Sequence, residues 1–484
     1  MKPITRRSAL ALGGLGAALV VGGSVGLLST NQHGPVAVGG DSLRQPKLLR
    51  SRNGTLAVRL AVEASPVLIG ATSVRAMTYA GSLPGPTLVI RAGDVVTIAL
   101  DNRLDVPTNL HTHGLHVSPE GDSDNVLRRI EPGTVGNYRY QLPADHPPGV
   151  FWYHPHHHGM TADQVFGGLY GAIIVEDPTP IEVVTERTLI ISDMTFDSSG
   201  RIASVSQMEK MNGREGVTVL VNGQLGATMT ARPGDRERWR IINACTSRYL
   251  DLRLDGQSMQ LLGNDSGRLA QPESIQRLPL SPGNRADVLV TMTASTTTLR
   301  TTAVDRGSMG RLGGSTSSST TDLATLTVTG AASAALAALP AQAVPRDLRS
   351  AVPDRTRTLT LAMGGMGGMG GRGGSGGGSF TIDGHSFDPT RIDQLVPAGT
   401  IEEWTIVNTS PMDHPFHLHV WPMQVLQVGS TTIGPAVWQD VVNVPAQSST
   451  TVRIAFDDIT GTTVFHCHIL DHEDLGMMGL IRVA

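Results

Sequence analysis

Residues 465–478 read Phe465-His466-Cys467-His468-Ile469-Leu470-Asp471-His472-Glu473-Asp474-Leu475-Gly476-Met477-Met478. Successive side chains of a β-strand point to opposite faces, so His466 and His468 face one way and Cys467 the other. One short segment can therefore touch two metal sites. Cys467, His472 and Met477, at steps of five and five, offer a thiolate, an imidazole and a thioether, three of the four ligands of a blue-copper electron-transfer centre. The fourth, a second imidazole, has to come from elsewhere. An isolated His-Cys-His triplet is more simply a buried thiol between two core histidines. The rest of the chain removes that reading.

At 484 residues the chain has room for about three domains of ordinary size. Aromatic residues are scarce, Gly and Thr plentiful, and the apolar runs are short, rich in Val, Ile and Leu, and broken by Gly and Pro. That profile predicts an all-β protein. The formal net charge of −4 includes Lys2, Arg6 and Arg7, so the remainder is more acidic still, and no nucleic-acid surface is indicated. Two cysteines, Cys245 and Cys467, allow at most one disulfide, which would consume the copper thiolate; Cys245, in the apolar run 239–245, reads as a core residue.

Thr5-Arg6-Arg7-Ser8-Ala9-Leu10 precedes an apolar, Gly/Ala-rich run to about Leu28. Residues 1–40 look like a twin-arginine export signal, long enough to stay as a membrane anchor if uncleaved. The protein is thus expected in the periplasm, the cell envelope or outside the cell. Beyond it a repeat recurs three times: Arg91-Ala92-Gly93-Asp94 leads to Asn102, Arg232-Pro233-Gly234-Asp235 to Asn243, and Pro397-Ala398-Gly399-Thr400 to Asn408, each with nine residues from Gly to Asn. Gly149 and Gly461 each stand five residues before a His-x-His, so the first and third copies match most closely. The boundaries expected are 45–178, 179–330, a linker at 331–354 and 355–484, with a Met/Gly-rich insertion at 362–379 and a Ser/Gly-rich mobile loop at 308–322. No histidine lies between His158 and His385, so the middle copy reads as a spacer without ligands.

Four His-x-His pairs exist: His111-Thr112-His113, His154-Pro155-His156, His417-Leu418-His419 and His466-Cys467-His468. Eight imidazoles match a three-copper cluster in which two ions take three histidines each and one takes two, and open positions let dioxygen bind. A chance pair of surface histidines is common; four pairs split evenly between two repeat copies are not.

These residues resemble the three-domain multicopper oxidases, a family of laccases, bilirubin oxidases and bacterial cuprous oxidases. The resemblance spans about residues 45–484 and rests on His111-Thr112-His113-Gly114, Trp152-Tyr153-His154-Pro155-His156, His414-Pro415-Phe416-His417-Leu418-His419 and the closing stretch. It implies three cupredoxin-like Greek-key β-barrels and four copper ions, one type 1, one type 2 and two type 3. It further implies His414, Cys467 and His472 with axial Met477 at type 1, His111 and His417 at type 2, and His113, His154, His156, His419, His466 and His468 at type 3. Glu473 and Asp122 stand where the family's proton-relay carboxylates tend to be, although either could be a solvated or turn-capping acid. His116, His146, His157, His158 and His385 fall outside the matched positions, as surface residues or hydrogen-bond partners of ligands.

Substrate is the open question at this level. Met363, Met366 and Met369, spaced by threes on a Gly-rich chain, could wrap a soft Cu(I) ion or belong to a plain linker. Met208, Met211, Met412 and Met423 are candidates to extend a thioether surface. One reading is an oxidase of phenols and aromatic amines with dioxygen as acceptor; another is an oxidase of Cu(I), Fe(II) or Mn(II); a third is a copper storage protein serving copper tolerance without turnover. Complete type 2 and type 3 sets argue against the third.

Overall fold

The computed structural model describes residues 40–293, 296–307, 320–364 and 380–484. The signal-like residues 1–39, most of the Ser/Gly-rich loop, and Met366 and Met369 lie outside the described residues.

The threefold repeat has a physical basis. Gly93, Gly234 and Gly399 have φ of +84°, +82° and +79°, a left-handed turn that costs glycine least. Each turn launches a strand: Val95–Asn102, Arg236–Asn243 and Ile401–Asn408. Each strand pairs in parallel with an earlier one, Thr55–Ile69, Thr185–Met194 and Arg355–Met363, and antiparallel with a later one, Val135–Gln141, Arg285–Thr291 and Ser448–Ala455. The terminal Asn ties down the loop that follows. Asn102 Nδ2 donates to the carbonyls of Val106 and Ile130, Asn243 Nδ2 to those of Arg248 and Leu280, and Asn408 Nδ2 to those of Met412 and Val444. In each case Oδ1 accepts the amide two residues on. Asn243→Ala leaves two buried carbonyls and an amide unpaired, an expected loss of about 2–5 kcal/mol, read as a lower midpoint in denaturant unfolding.

Each copy is a pair of sheets over one core. In the first, Leu60, Val96, Ile98 and Tyr138 of one sheet meet Leu88, Phe151, Tyr153 and Ile173 of the other. The second and third repeat this with their own apolar clusters. The fold is therefore all-β, with three cupredoxin-like domains; helix among the described residues is confined to short pieces such as Thr161–Phe166, Gln207–Asn212 and Leu470–Asp474. Residues 331–354 carry neither strand nor helix. No helix among the described residues is long and apolar enough to cross a membrane.

Register delivers the His-x-His pairs. The strand His111–His113 lies antiparallel to Gly149–His154 with His111 opposite His154, and His414–Leu418 lies antiparallel to Gly461–Cys467 with His417 opposite His466. The matched ends of the first and third copies thus carry their imidazoles at equivalent places. The strand Gly461–Cys467 stops at Cys467, because the chain turns there into the helix Leu470–Asp474. His468 lies just past the strand, its ring still near that of His466 at 5.7 Å between centroids.

Candidate metal centre

Two buried groups of metal-ligating side chains meet at the closing stretch. In the first, His414 Nδ1 is 3.3 Å and His472 Nδ1 3.9 Å from Cys467 Sγ, and the two nitrogens are 3.4 Å apart. The outer nitrogens are already committed: His414 Nε2 donates to Ser410 Oγ at 2.8 Å and His472 Nε2 to the Met211 carbonyl at 3.1 Å. Both Nδ1 lone pairs are thereby turned toward the sulfur. Met477 is fully buried in the same apolar cluster as Cys467, and its carbonyl accepts the Cys467 amide at 3.0 Å. Both cysteines are free thiols, and Cys245 is buried in the middle domain as expected of a core residue.

The second group joins the four pairs. His156 Nε2 and His419 Nε2 each lie 3.1 Å from His466 Nε2, and His154 Nε2 lies 3.5 Å from His113 Nδ1. His111 and His419 stack at 4.0 Å, as do His113 and His417, while His468 meets the His113 ring at 4.9 Å. Candidate ligand atoms gather as His111/His113/His154, His111/His417/His419 and His156/His419/His466, and in the first group as His414/Cys467/His472.

The residues fit copper. Burial lowers the His154 ring to about 3 and His417 to about 4, so both are neutral and keep a lone pair. His111 Nε2, His417 Nε2, His419 Nδ1 and both nitrogens of His468 are buried without a hydrogen-bond partner. Such orphans are costly in an interior unless a cation takes them. Imidazoles with a single thiol and thioether are a donor set suited to copper.

Acidic partners complete the site, and some were not foreseen. Asp122 is exposed; the carboxylate against His111 is that of Asp124, whose Oδ2 accepts Nδ1–H at 2.9 Å while Oδ1 takes the Thr112 amide and hydroxyl. Burial raises Asp124 to about 7, with the Thr112 bonds opposing. Glu473, fully buried, places Oε2 3.3 Å from His466 Nδ1 and Oε1 3.7 Å from His156 Nε2. Burial, then the neighbouring Asp474 charge, pushes Glu473 well above the usual carboxylate range. Asp440, which no motif marked, bonds His113 Nε2 at 2.9 Å through Oδ1 and takes His417 Nδ1–H at 2.7 Å on its backbone carbonyl.

The remaining histidines stand aside. His116 bonds the Val420 carbonyl and Asp458, the His116 amide donates to His146 Nε2, His158 packs on Phe387, His157 is half-buried and His385 is exposed. The thioether surface does not form from Met208, Met211, Met412 and Met423: only Met208 is exposed, the other three being core residues. Met363 packs on the core of the third domain.

Comparison with known proteins agrees with this geometry. Models of the multicopper oxidase family match residues 62–180, 185–320 and 361–484. A multicopper oxidase of Staphylococcus haemolyticus is 30% identical over 418 residues, covering 84% of this chain and 83% of that protein. The cell division protein FtsP of Proteus mirabilis is 27% identical over 91% of this chain and 92% of its own. A Campylobacter jejuni structure described as a multicopper oxidase, a metallo-oxidase, superposes with a TM-score of 0.80 at 30% identity, over 92% of this chain and 95% of that one. The chain belongs to the multicopper oxidases, copper-dependent oxidoreductases with dioxygen as electron acceptor.

Proposed function

We propose that this protein oxidises metal ions, Cu(I) foremost, using four bound coppers. His414, Cys467 and His472 with axial Met477 would hold the type 1 ion, His111 and His417 the type 2 ion, and His113, His154, His156, His419, His466 and His468 the two type 3 ions. When bound, these ions supply one-electron oxidation of the reductant at one site and four-electron reduction of dioxygen to water at the other. The observation that carries the oxidase reading is that adjacent residues serve both groups: Cys467 is joined by a peptide bond to His466. A storage module has no use for that link. The relative called a cell division protein does not alter this reading, since all four His-x-His pairs stand in this chain and His414, Cys467 and His472 come together as one group.

The chain's own residues orient, enclose and supply protons. Ser410 and the Met211 carbonyl hold the two type 1 rings in one tautomer, and full burial of both rings keeps water away. Asp124 does the same for His111, in the place expected of Asp122. Reduction of dioxygen to two waters consumes four protons, and Glu473, whose affinity for a proton is raised by burial, stands beside the cluster to supply one.

Metal ions are favoured over phenols by the covering of His472. Its Nε2 faces Met211 and its ring stacks on Phe380 at 4.4 Å, so a flat aromatic reductant has no open imidazole edge to lie against. The Campylobacter jejuni relative is itself described as a metallo-oxidase. The Arg6-Arg7 pair and the apolar run behind it support export, to the periplasm, envelope or exterior, where Cu(I) oxidation would serve copper tolerance.

The test is oxygen uptake by copper-loaded protein given Cu(I) and a simple phenol separately, with Cu(I) autoxidation subtracted. Uptake is expected to be much faster with Cu(I), and replacement of Met363, Met366 and Met369 by Ser is expected to raise KM for Cu(I) more than for the phenol. Faster uptake with phenol and no response to the Ser replacements would instead make this a laccase with a Gly-rich linker. No uptake with either would return the storage reading.

A further inference from the structure

The middle domain, without a histidine, still reaches the cluster. Arg285, first residue of the strand Arg285–Thr291, is fully buried. Its Nη1 and Nη2 donate to Asp440 Oδ1 and Oδ2, each at 2.6 Å, while Nε donates to the Val150 carbonyl of the first domain at 3.1 Å. One guanidinium therefore bridges all three domains. Its own amide is anchored on Asp265 Oδ1 at 2.7 Å, and Ser266 Oγ donates to Asp440 Oδ2 at 2.6 Å. Beyond Asp440 the bonds run to His113 Nε2 and His417 Nδ1, one ring from each flanking domain. The inner nitrogens of those rings face His154 or stand without a partner. Gly114, next to His113, has φ of +87°, and a Cβ there would lie 2.3 Å from Arg285 Nη2 and 2.6 Å from Asp440 Oδ2. The glycine of the His-Thr-His-Gly motif is what gives the pair its space.

A buried ion pair taken alone is weak evidence for anything, because apolar replacements are often tolerated. What sets this one apart is its two outputs. An imidazole whose outer nitrogen is tied to a carboxylate or carbonyl is fixed in tautomer and rotation, and loss of such a partner typically lowers metal affinity about 10–100-fold.

We propose that Arg285 is a positioning residue of the copper cluster: by clamping Asp440 from the middle domain it orients His113 and His417 toward the metals. The domain is then more than a spacer, since it sets the geometry of a site to which it gives no ligand. This rests on the four-copper reading above.

The experiment compares copper-loaded full-length wild type with Arg285→Lys, Arg285→Gln and the doubly neutral Arg285→Gln/Asp440→Asn. Copper per chain, blue absorbance, the type 2 paramagnetic resonance signal and the melting temperature of the copper-free protein are measured on each. Wild type should carry four coppers and both signals; if it does not, the four-copper reading fails and this proposal with it, before any variant is compared. Arg285→Gln is expected to keep the blue absorbance, whose ligands Arg285 does not bond, while cluster copper affinity falls about 10–100-fold and the type 2 signal changes or disappears. Arg285→Lys, a point charge without the paired geometry, should fall between. The double variant removes the unpaired buried charge, so it should recover melting temperature yet stay defective in cluster copper. Recovery of cluster copper and a wild-type type 2 signal in the double variant would overturn the proposal, leaving an ion pair that only holds domains together. Equal loss of blue absorbance and cluster copper in every variant would overturn it too.

Discussion

Cys467→Ser is expected to erase the blue absorbance and bring substrate-driven oxygen uptake down to the level of copper-free protein, while the cluster keeps its copper. The substitution is small in every respect but one. The backbone at 467 is held by the strand Gly461–Cys467 and by its amide bond to Met477, neither of which involves sulfur. His414 and His472 remain fixed by Ser410 and Met211. The change removes the one soft anionic donor of the His414/Cys467/His472 group, and a buried hydroxyl is a poor substitute for a thiolate toward copper. Intense blue colour needs the copper–thiolate bond, so spectroscopy reads the loss directly. The His-x-His pairs keep their contacts, so copper analysis should show only the type 1 ion missing. A Ser variant that still oxidises substrate at a rate near that of the parent would show that electrons do not enter through Cys467, and the pairing of the two groups through adjacent residues would lose its meaning.

The candidate metal ligands were legible because they sit in motifs: a strand-spaced His-x-His needs only two residues to be recognised, and the repeat of Gly and Asn announced the strands that carry them. The nine-residue step marks a left-handed turn and a loop-closing side chain, both local properties. Contacts across long distances in sequence left no such trace. Asp440 stands 327 residues from His113 and was not marked by any spacing. Arg285 looked like one more strand residue, so counting histidines made the middle domain a spacer. Asp122 and Asp124 were indistinguishable by spacing from His111; the bend through Gly121, with φ of +63°, and the Asp124 amide bond to the Ser118 carbonyl decide which of them turns inward. The Met211 carbonyl on His472 is a backbone group, and backbone groups carry no sequence signature at all.

Glu473→Gln is expected to slow oxygen reduction by about 10²–10⁴-fold without slowing the step in which substrate reduces the protein. The replacement keeps the shape and burial of the side chain beside His466 and His156 and removes its ability to give up a proton. Rapid mixing with substrate in the absence of oxygen should bleach the blue colour at the parental rate, and subsequent exposure to dioxygen should restore it slowly. The pH profile carries the sign. Glu473 must be protonated to donate, so activity fades as pH rises through its folded pKa; burial and then the Asp474 charge raise that pKa, which moves the alkaline limb above the range of an ordinary glutamate. In the Gln variant that alkaline limb should vanish, leaving a low rate with little pH dependence on that side. A variant with the parental alkaline limb and parental reoxidation would assign the proton to another group, and Asp124, raised by burial to about 7 and bonded to His111, would be the next to replace.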